Sequence, residues 1–375
     1  VGVVKRVALF LPSLHGGGAE RAMVTFGREL LGRGFAVDVV VVQRIGALLG
    51  LLPDGMRVVD LKRSRMAQAL PALIRYINSE LPDAVFSTIT HANLLAAAAT
   101  RLTRHRPITV VRQSNAPLTE PKTSLSSSIS HRLIPLLYPW ADGIIAVSAG
   151  VGEQLIQMSP GLKPRVTVSP TPVISPEILA LGDEPVSQRW FESGEPPVVV
   201  AAGRLEPQKG FSTLLRAFER VRRTDAARLV LIGEGRERGK LEGEIRQLKL
   251  ADDVKMPGFQ KNPFAFMKRA QSFVLSSQYE GLPNVLIQAM AFGTPVVATD
   301  CESGPAEILE NGRYGALVPV GDEERLAEAI RTSLRLPRNL DAQRSVIARY
   351  GVAQATDRYL ALAGFTPSPS APFHA

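Results

Sequence analysis

The sequence predicts an α/β protein of two Rossmann-like domains, each a doubly wound parallel sheet, facing one another across a cleft. Three observations predict it. Short continuous apolar runs alternate with helical patterns, as expected for strands buried on both faces between helices. A stretch without periodicity, about 173–195, carries Pro176, Pro185 and Gly194 and separates two such blocks. At 375 residues the chain also exceeds what one ordinary core accommodates.

In the first block, Arg6–Leu11 reads as a strand, Ala19–Arg33 as a helix and Ala36–Val42 as the next strand. A helix covers about Met66–Glu80, and Ala84–Ser87, Ile108–Arg112 and Gly143–Ser148 complete the strands. The second block opens with strand Pro197–Ala202, helix Phe211–Arg223, strand Arg228–Ile232 and helix Arg236–Leu248. Val254–Met256, Ser272–Ser276, Pro295–Ala298 and Ala316–Val318 are further strands, and Glu323 to about Leu334 is a helix. The expected domains are 1–175 and 196–340. A helical segment, 341–364, is free to pack on either domain, and a Pro/Ser-rich tail, 365–375, is expected to fray.

Composition is that of a globular protein, with 45% hydrophobic and 21% charged residues. No apolar run reaches membrane-spanning length, and Val7–Leu14 is read as a first strand rather than a leader. The single cysteine, Cys301, fits a reducing, cytoplasmic compartment. The net charge of +9 is uneven: residues 1–180 hold 19 Lys and Arg against 11 Asp and Glu, the remainder 25 against 24. No nucleic-acid motif accompanies this surplus. An anionic membrane surface fits better, through Lys62-Arg63-Ser-Arg65 and the segment His131–Trp140. The plainer alternative is a pair of ordinary helices with solvated charges.

The candidate chemistry sits at strand ends, where ligands of such sheets bind. Glu280 lies on a Gly-Leu-Pro-Asn turn that opens a helix, Val285–Phe292, stopped by Gly293-Thr-Pro295. Free amides at a helix start attract phosphate, whereas a neighbouring carboxylate accepts from hydroxyls. Hydroxyl recognition beside phosphate recognition suggests a nucleotide-sugar pocket. The loop Gly203–Gly210 carries Arg204 and Lys209, two cations able to flank a diphosphate and to stabilise it as it leaves. A solvated basic loop is the alternative. Gly16, Gly17 and Gly18 follow the first strand and open the first helix, either as an anion-facing loop or as a tight turn. Arg21 stands where a dinucleotide fingerprint needs its last glycine, and no acid ends the second strand.

Together, Gly16–Gly18, Arg204 with Lys209, Glu280 with Gln288, and Ser303-Gly-Pro-Ala-Glu307 resemble the retaining glycosyltransferases of family 4, with the GT-B fold. The resemblance spans most of residues 5–335. It implies that Arg204 and Lys209 hold the donor diphosphate and that Glu280 contacts the donor sugar. It also implies phosphate contacts from the backbone near Asn284 and Val285, and a ribose contact at the position of Gln288. Family members carry a second glutamate there; glutamine keeps an acceptor but loses the charge. Many members also place a histidine after the strand that here leads into Gln113-Ser-Asn115, which leaves Asn115 as a donor-sugar contact and no nameable base.

His91 is a candidate for the acceptor side, with a structural role as its alternative, and Ser148 is read as a helix cap. No metal-ligand spacing occurs, and neither metal nor cofactor is expected, the nucleotide sugar being a substrate. The resemblance implies a hexosyltransferase that passes a hexose or N-acetylhexosamine from a nucleotide-diphosphate sugar, UDP foremost, to a lipid-linked or membrane-surface glycan acceptor. Members building bacterial cell-surface glycans share the Leu282-Pro-Asn and Ser-Gly-Pro segments. The alternatives are a sugar-nucleotide epimerase of the same shape and a non-catalytic sugar-nucleotide binding protein.

Overall fold

The computed structural model describes residues 4–118 and 125–366, in two compact units. The first comprises Val1–Pro172 with Gly351–Ala375, the second Val173–Tyr350.

The first unit holds a seven-stranded parallel sheet: β1 (Arg6–Leu11), β2 (Ala36–Val41), β3 (Met56–Asp60), β4 (Ala84–Thr88), β5 (Ile108–Gln113), β6 (Gly143–Ala146) and β7 (Val166–Val168). Their order is β3-β2-β1-β4-β5-β6-β7. Parallel neighbours need crossovers, and helices such as Gly18–Gly32, Thr90–Leu102 and Ala149–Met158 supply them. Side chains of β1, β2 and β4 point alternately into two apolar cores, one on each face of the sheet. Leu9, Phe26 and Phe86 lie in one, Phe10, Leu73 and Ile77 in the other, all buried.

The second unit holds six parallel strands: β8 (Val198–Ala202), β9 (Arg228–Ile232), β10 (Val254–Gly258), β11 (Ser272–Leu275), β12 (Val296–Thr299) and β13 (Ala316–Val318). Their order is β10-β9-β8-β11-β12-β13. Each sheet reverses direction once, between β1 and β4 in the first unit and between β8 and β11 in the second. Loops leaving the carboxyl ends of these four strands flank the switch points where open α/β sheets bind ligands. These loops and the helix starts that follow them carry Gly16–Gly18, His91, Lys209 and Glu280.

Several expectations change. The helix expected over Met66–Glu80 is a 3₁₀ turn, Met66–Ala69, followed by an α-helix, Leu70–Glu80, with Pro71 in its first turn. The supposed linker is folded: Ser175 caps a short helix, Pro176–Leu181, through a bond from the Ile178 amide. Trp190 is buried, with the Arg228 and Lys255 cations over its ring at 5.0 and 4.2 Å. The helical segment expected over 341–364 is two helices, Leu340–Tyr350 and Val352–Leu362, broken at Gly351. The second belongs to the first unit, where the Tyr359 ring meets Phe26 at 5.2 Å and Phe86 at 6.4 Å. Arg33 fastens it through Asp357 at 2.5 Å and the Ala353 carbonyl at 3.1 Å. Phe365, assigned to the tail, is instead buried against Phe35. Residues 367–375 lie outside the described residues.

Candidate active site

The loop after β8 is built to hold one lysine. Leu205 is buried and its amide donates to the Glu234 carbonyl at 2.9 Å, anchoring the loop's start. A 3₁₀ turn, Pro207–Lys209, follows, and Gly210 leaves it in the left-handed region at φ 60°. A Cβ there would lie 2.1 Å from the Ser276 carbonyl oxygen, so this position admits only glycine. The close approach lets the loop after β11 bond to it. Ser276 Oγ donates to the Lys209 carbonyl at 2.8 Å, Gln208 Nε2 to the Tyr279 carbonyl at 2.9 Å, and the Gln278 amide to the Gln208 carbonyl at 2.8 Å. The two loops thus form one rigid platform at the switch point.

On that platform Lys209 Nζ donates to Glu280 Oε1 at 2.5 Å. Their side chains are 15% and 7% exposed. Ser277 Oγ, fully buried, donates to the same carboxylate oxygen at 2.7 Å. A carboxylate this far from water is costly unless paired and hydrogen-bonded, and these two donors meet that cost. A third loop closes the floor. Thr299 Oγ1 donates to the Ser277 carbonyl at 2.6 Å, and Gly304 at φ 93° packs on Gly281 and Pro283, where a Cβ would lie 2.7 Å from Pro283 Cδ. Cys301 is buried, and burial, then the Glu280 charge, pushes its thiol up to about 12.

Of the three residues expected to be catalytic, the structure thus joins Lys209 with Glu280. Arg204 is exposed at the start of the same loop. The helix after Glu280 runs Asn284–Met290, shorter than the expected Val285–Phe292. Asn284 and Val285, half-buried, form its first turn, and Gln288 is buried at 7% exposure.

In the first unit the glycine loop differs from its anion-facing reading at one position. The Gly17 amide donates to Glu20 Oε2, a buried carboxylate three residues on, which caps the helix Gly18–Gly32. That amide is therefore committed inward, where a ligand anion would be repelled by Glu20. Gly16, at φ 107°, makes the turn. The spacing from Gly17 to Glu20 is that of a capping box and was the available signal. His91 sits in the first turn of Thr90–Leu102, with Nδ1 2.7 Å from Ser130 Oγ. Asn115 follows β5 and its carbonyl accepts from Gln113 Nε2 at 2.9 Å. Ser148 caps Ala149–Met158 as expected, accepting from the Val151 amide at 3.4 Å. A buried network beneath β4 and β5 had no sequence signal: Asn93 bonds Ser87, the Arg112 carbonyl and Tyr138, and Tyr138 donates to Gln113 at 2.6 Å. Among the described residues no three His, Cys, Asp or Glu side chains gather as a metal set.

Comparison with known proteins matches residues 16–174 to the model "Glycosyltransferase Family 4" and residues 183–351 to "Glycosyl transferases group 1". The chain is a family 4 glycosyltransferase, a hexosyltransferase with the GT-B fold. This glycosyltransferase is 29% identical to the N-acetylgalactosamine-N,N'-diacetylbacillosaminyl-diphospho-undecaprenol 4-alpha-N-acetylgalactosaminyltransferase of Campylobacter jejuni, over 88% of this chain and 90% of that one. It is 35% identical to an uncharacterised glycosyltransferase of Methanocaldococcus jannaschii, over 52% of this chain, a match that spans only 48% of that relative. It is 35% identical to the lipopolysaccharide core biosynthesis glycosyltransferase LpsE of Rhizobium meliloti, over 46% of this chain and 51% of that one. Among solved structures, HepE of Anabaena, in complex with UDP and glucose, shares the fold at a TM-score of 0.78. The identity there is 20%, covering 96% of this chain and 99% of that one.

Proposed function

We propose that this glycosyltransferase transfers a hexose or N-acetylhexosamine from a nucleotide-diphosphate sugar, UDP foremost, to a lipid-linked or membrane-surface glycan acceptor, with retention at the anomeric carbon. The observation that carries the reading is the Lys209–Glu280 pair on two interlocked loops at the switch point of the second sheet. A mobile cation and a carboxylate held side by side suit a donor whose diphosphate and sugar are themselves adjacent.

In this reading the diphosphate takes Lys209, with Arg204 beside it, and the Glu280 carboxylate accepts from donor-sugar hydroxyls. The bond from the anomeric carbon to the diphosphate oxygen breaks as the acceptor oxygen bonds on the same face. The acceptor proton passes to the leaving diphosphate. Positive charge aimed at that diphosphate stabilises the transition state more than the ground state. Gln288, Asn284 and Val285 are assigned to the nucleotide by resemblance, Gly16, Gly18 and Asn115 to the donor, and His91 to the acceptor.

The acceptor class draws on the Campylobacter relative, whose name specifies a diphospho-undecaprenol carrier. The surface of the first unit supports it. Ile129, Leu136 and Trp140 are 47%, 64% and 44% exposed beside the exposed Arg132. The exposed Lys62, Arg63 and Arg65 lead into the 3₁₀ turn that packs, like the segment 129–137, on helix Thr90–Leu102. Cations flanking exposed apolar side chains suit an anionic lipid surface. No helix among the described residues is long and apolar enough to cross a membrane.

The test is to offer a panel of UDP-, GDP- and ADP-sugars to the protein with a bacterial membrane extract and to follow products by mass spectrometry. A hexose or N-acetylhexosamine added to a lipid-extractable product, with release of the nucleoside diphosphate, is expected. Isomerised nucleotide sugar without transfer would mean epimerase chemistry, and binding without turnover would mean a sugar-nucleotide binding protein.

A further inference from the structure

Glu280 is held unequally at its two oxygens. Oε1 accepts from both Lys209 Nζ at 2.5 Å and Ser277 Oγ at 2.7 Å, while Oε2 has no such donor among the described residues. If the donor diphosphate takes Lys209, Oε1 loses one of its two partners at the moment the sugar arrives. Ser277 is then the group that stays. Its hydroxyl is fully buried, and its carbonyl is tied to Thr299 Oγ1 at 2.6 Å, so it cannot follow the lysine outward.

We infer that Ser277 is a positioning residue for donor-sugar recognition: it holds Oε1 throughout the cycle and so aims Oε2 at a sugar hydroxyl. The inference rests on the assignment of Glu280 to the donor sugar. A carboxylate on a flexible side chain has several rotamers to lose, and one fixed hydroxyl beneath it removes that freedom before the substrate binds. The role differs from that of Lys209, which exchanges partners, and from that of Ser276, whose hydroxyl bonds the backbone that joins the loops.

The experiment is a double-mutant cycle on turnover of whichever nucleotide sugar proves fastest in the donor panel, with UDP binding measured by calorimetry. Ser277→Ala is expected to lower kcat roughly ten- to a hundredfold, the worth of a hydrogen bond to a charged group, with UDP affinity unchanged. In the Glu280→Gln background the same substitution should lower kcat less than about threefold, since its effect passes through the carboxylate. Equal factors in both backgrounds, or full activity of Ser277→Ala, would overturn the inference while leaving Glu280 where it stands. Unchanged turnover in Glu280→Gln alone would instead overturn the assignment of Glu280 itself. Should Ser277→Ala melt early, Ser277→Cys keeps the volume with only a weak donor. A folded Ser277→Cys enzyme with wild-type kcat would contradict the inference, and one with a lowered kcat supports it.

Discussion

Lys209 and Glu280 stand 71 residues apart in the chain, yet Nζ and Oε1 lie 2.5 Å apart on adjoining loops. The pair makes each residue's substitution informative about the other. Arg204→Ala and Lys209→Ala should both lower turnover, by roughly 3–4 kcal/mol if each stabilises the leaving diphosphate. Their stabilities should differ. Lys209→Ala leaves a 7%-exposed carboxylate without its cation and should lose roughly 3 kcal/mol of folding stability. Arg204 is exposed, and Arg204→Ala should unfold like the wild type. Initial rates and denaturant titrations check both; near-normal rates in the two folded variants would sink the clamp.

The platform itself depends on Gly210. Alanine there would need a left-handed backbone and would drive Cβ into the Ser276 carbonyl. Gly210→Ala should cost at least roughly 2 kcal/mol and most of the turnover, because the loops must part. Gly239, in the helix Arg238–Gln247, has no atom within 4 Å of a built Cβ, and Gly239→Ala should be neutral or gain up to about 1 kcal/mol. Equal melting temperatures for the two variants would contradict the packing described.

A pH dependence follows from Asp38 in the first unit. Burial pushes its carboxyl up, but hydrogen bonds from Arg57 and Tyr76, with the charge of Arg57 and a bond from Arg6, outweigh that and hold it below the usual carboxylate range. A folded-state value below the unfolded one contributes stability that is complete above about pH 4 and is lost as pH falls through the folded value. The wild type should therefore be more stable than Asp38→Asn at pH 7, with the gap closing below about pH 4. A gap independent of pH in urea titrations would show that the carboxylate's charge is not what the network stabilises.

Most strands were legible because parallel, doubly covered strands are near-continuous apolar runs. Arg6–Leu11 and Arg228–Ile232 have the expected bounds. The strands that escaped are edges: Met56–Asp60 is mostly half-exposed with charges at Arg57 and Asp60, and Val166–Val168 is three residues long. The break at Gly351 escaped because one residue between two amphipathic helices barely disturbs their shared period. In the site, Lys209 and Glu280 were legible by residue type and resemblance. Their contact was not, because it depends on β8 and β11 being sheet neighbours. Ser277 and Gln208 escaped for the same reason.

Membrane association has its own test. Binding to vesicles should rise with anionic lipid content and fall with added salt, since exposed charges are screened within roughly 10 Å at 0.1 M. Neutralising Lys62, Arg63 and Arg65 together should release much of the protein, at about 1 kcal/mol per residue near the surface, and Arg132→Gln should add to the loss. Equal binding to neutral and anionic vesicles would leave the charge surplus without this role.

Lys209 and Glu280 divide the labour, the lysine on the diphosphate and the carboxylate on the sugar. Calorimetric titration of UDP into the wild type, Lys209→Ala and Glu280→Gln, alongside turnover of the preferred donor, separates the two roles. Lys209→Ala should weaken UDP binding clearly. Glu280→Gln should bind UDP as well as the wild type or better, because Lys209 no longer has a carboxylate to leave, and should lose most of its turnover. Weakened UDP binding in Glu280→Gln with unchanged turnover at saturation, or unchanged UDP binding in Lys209→Ala, would contradict this division.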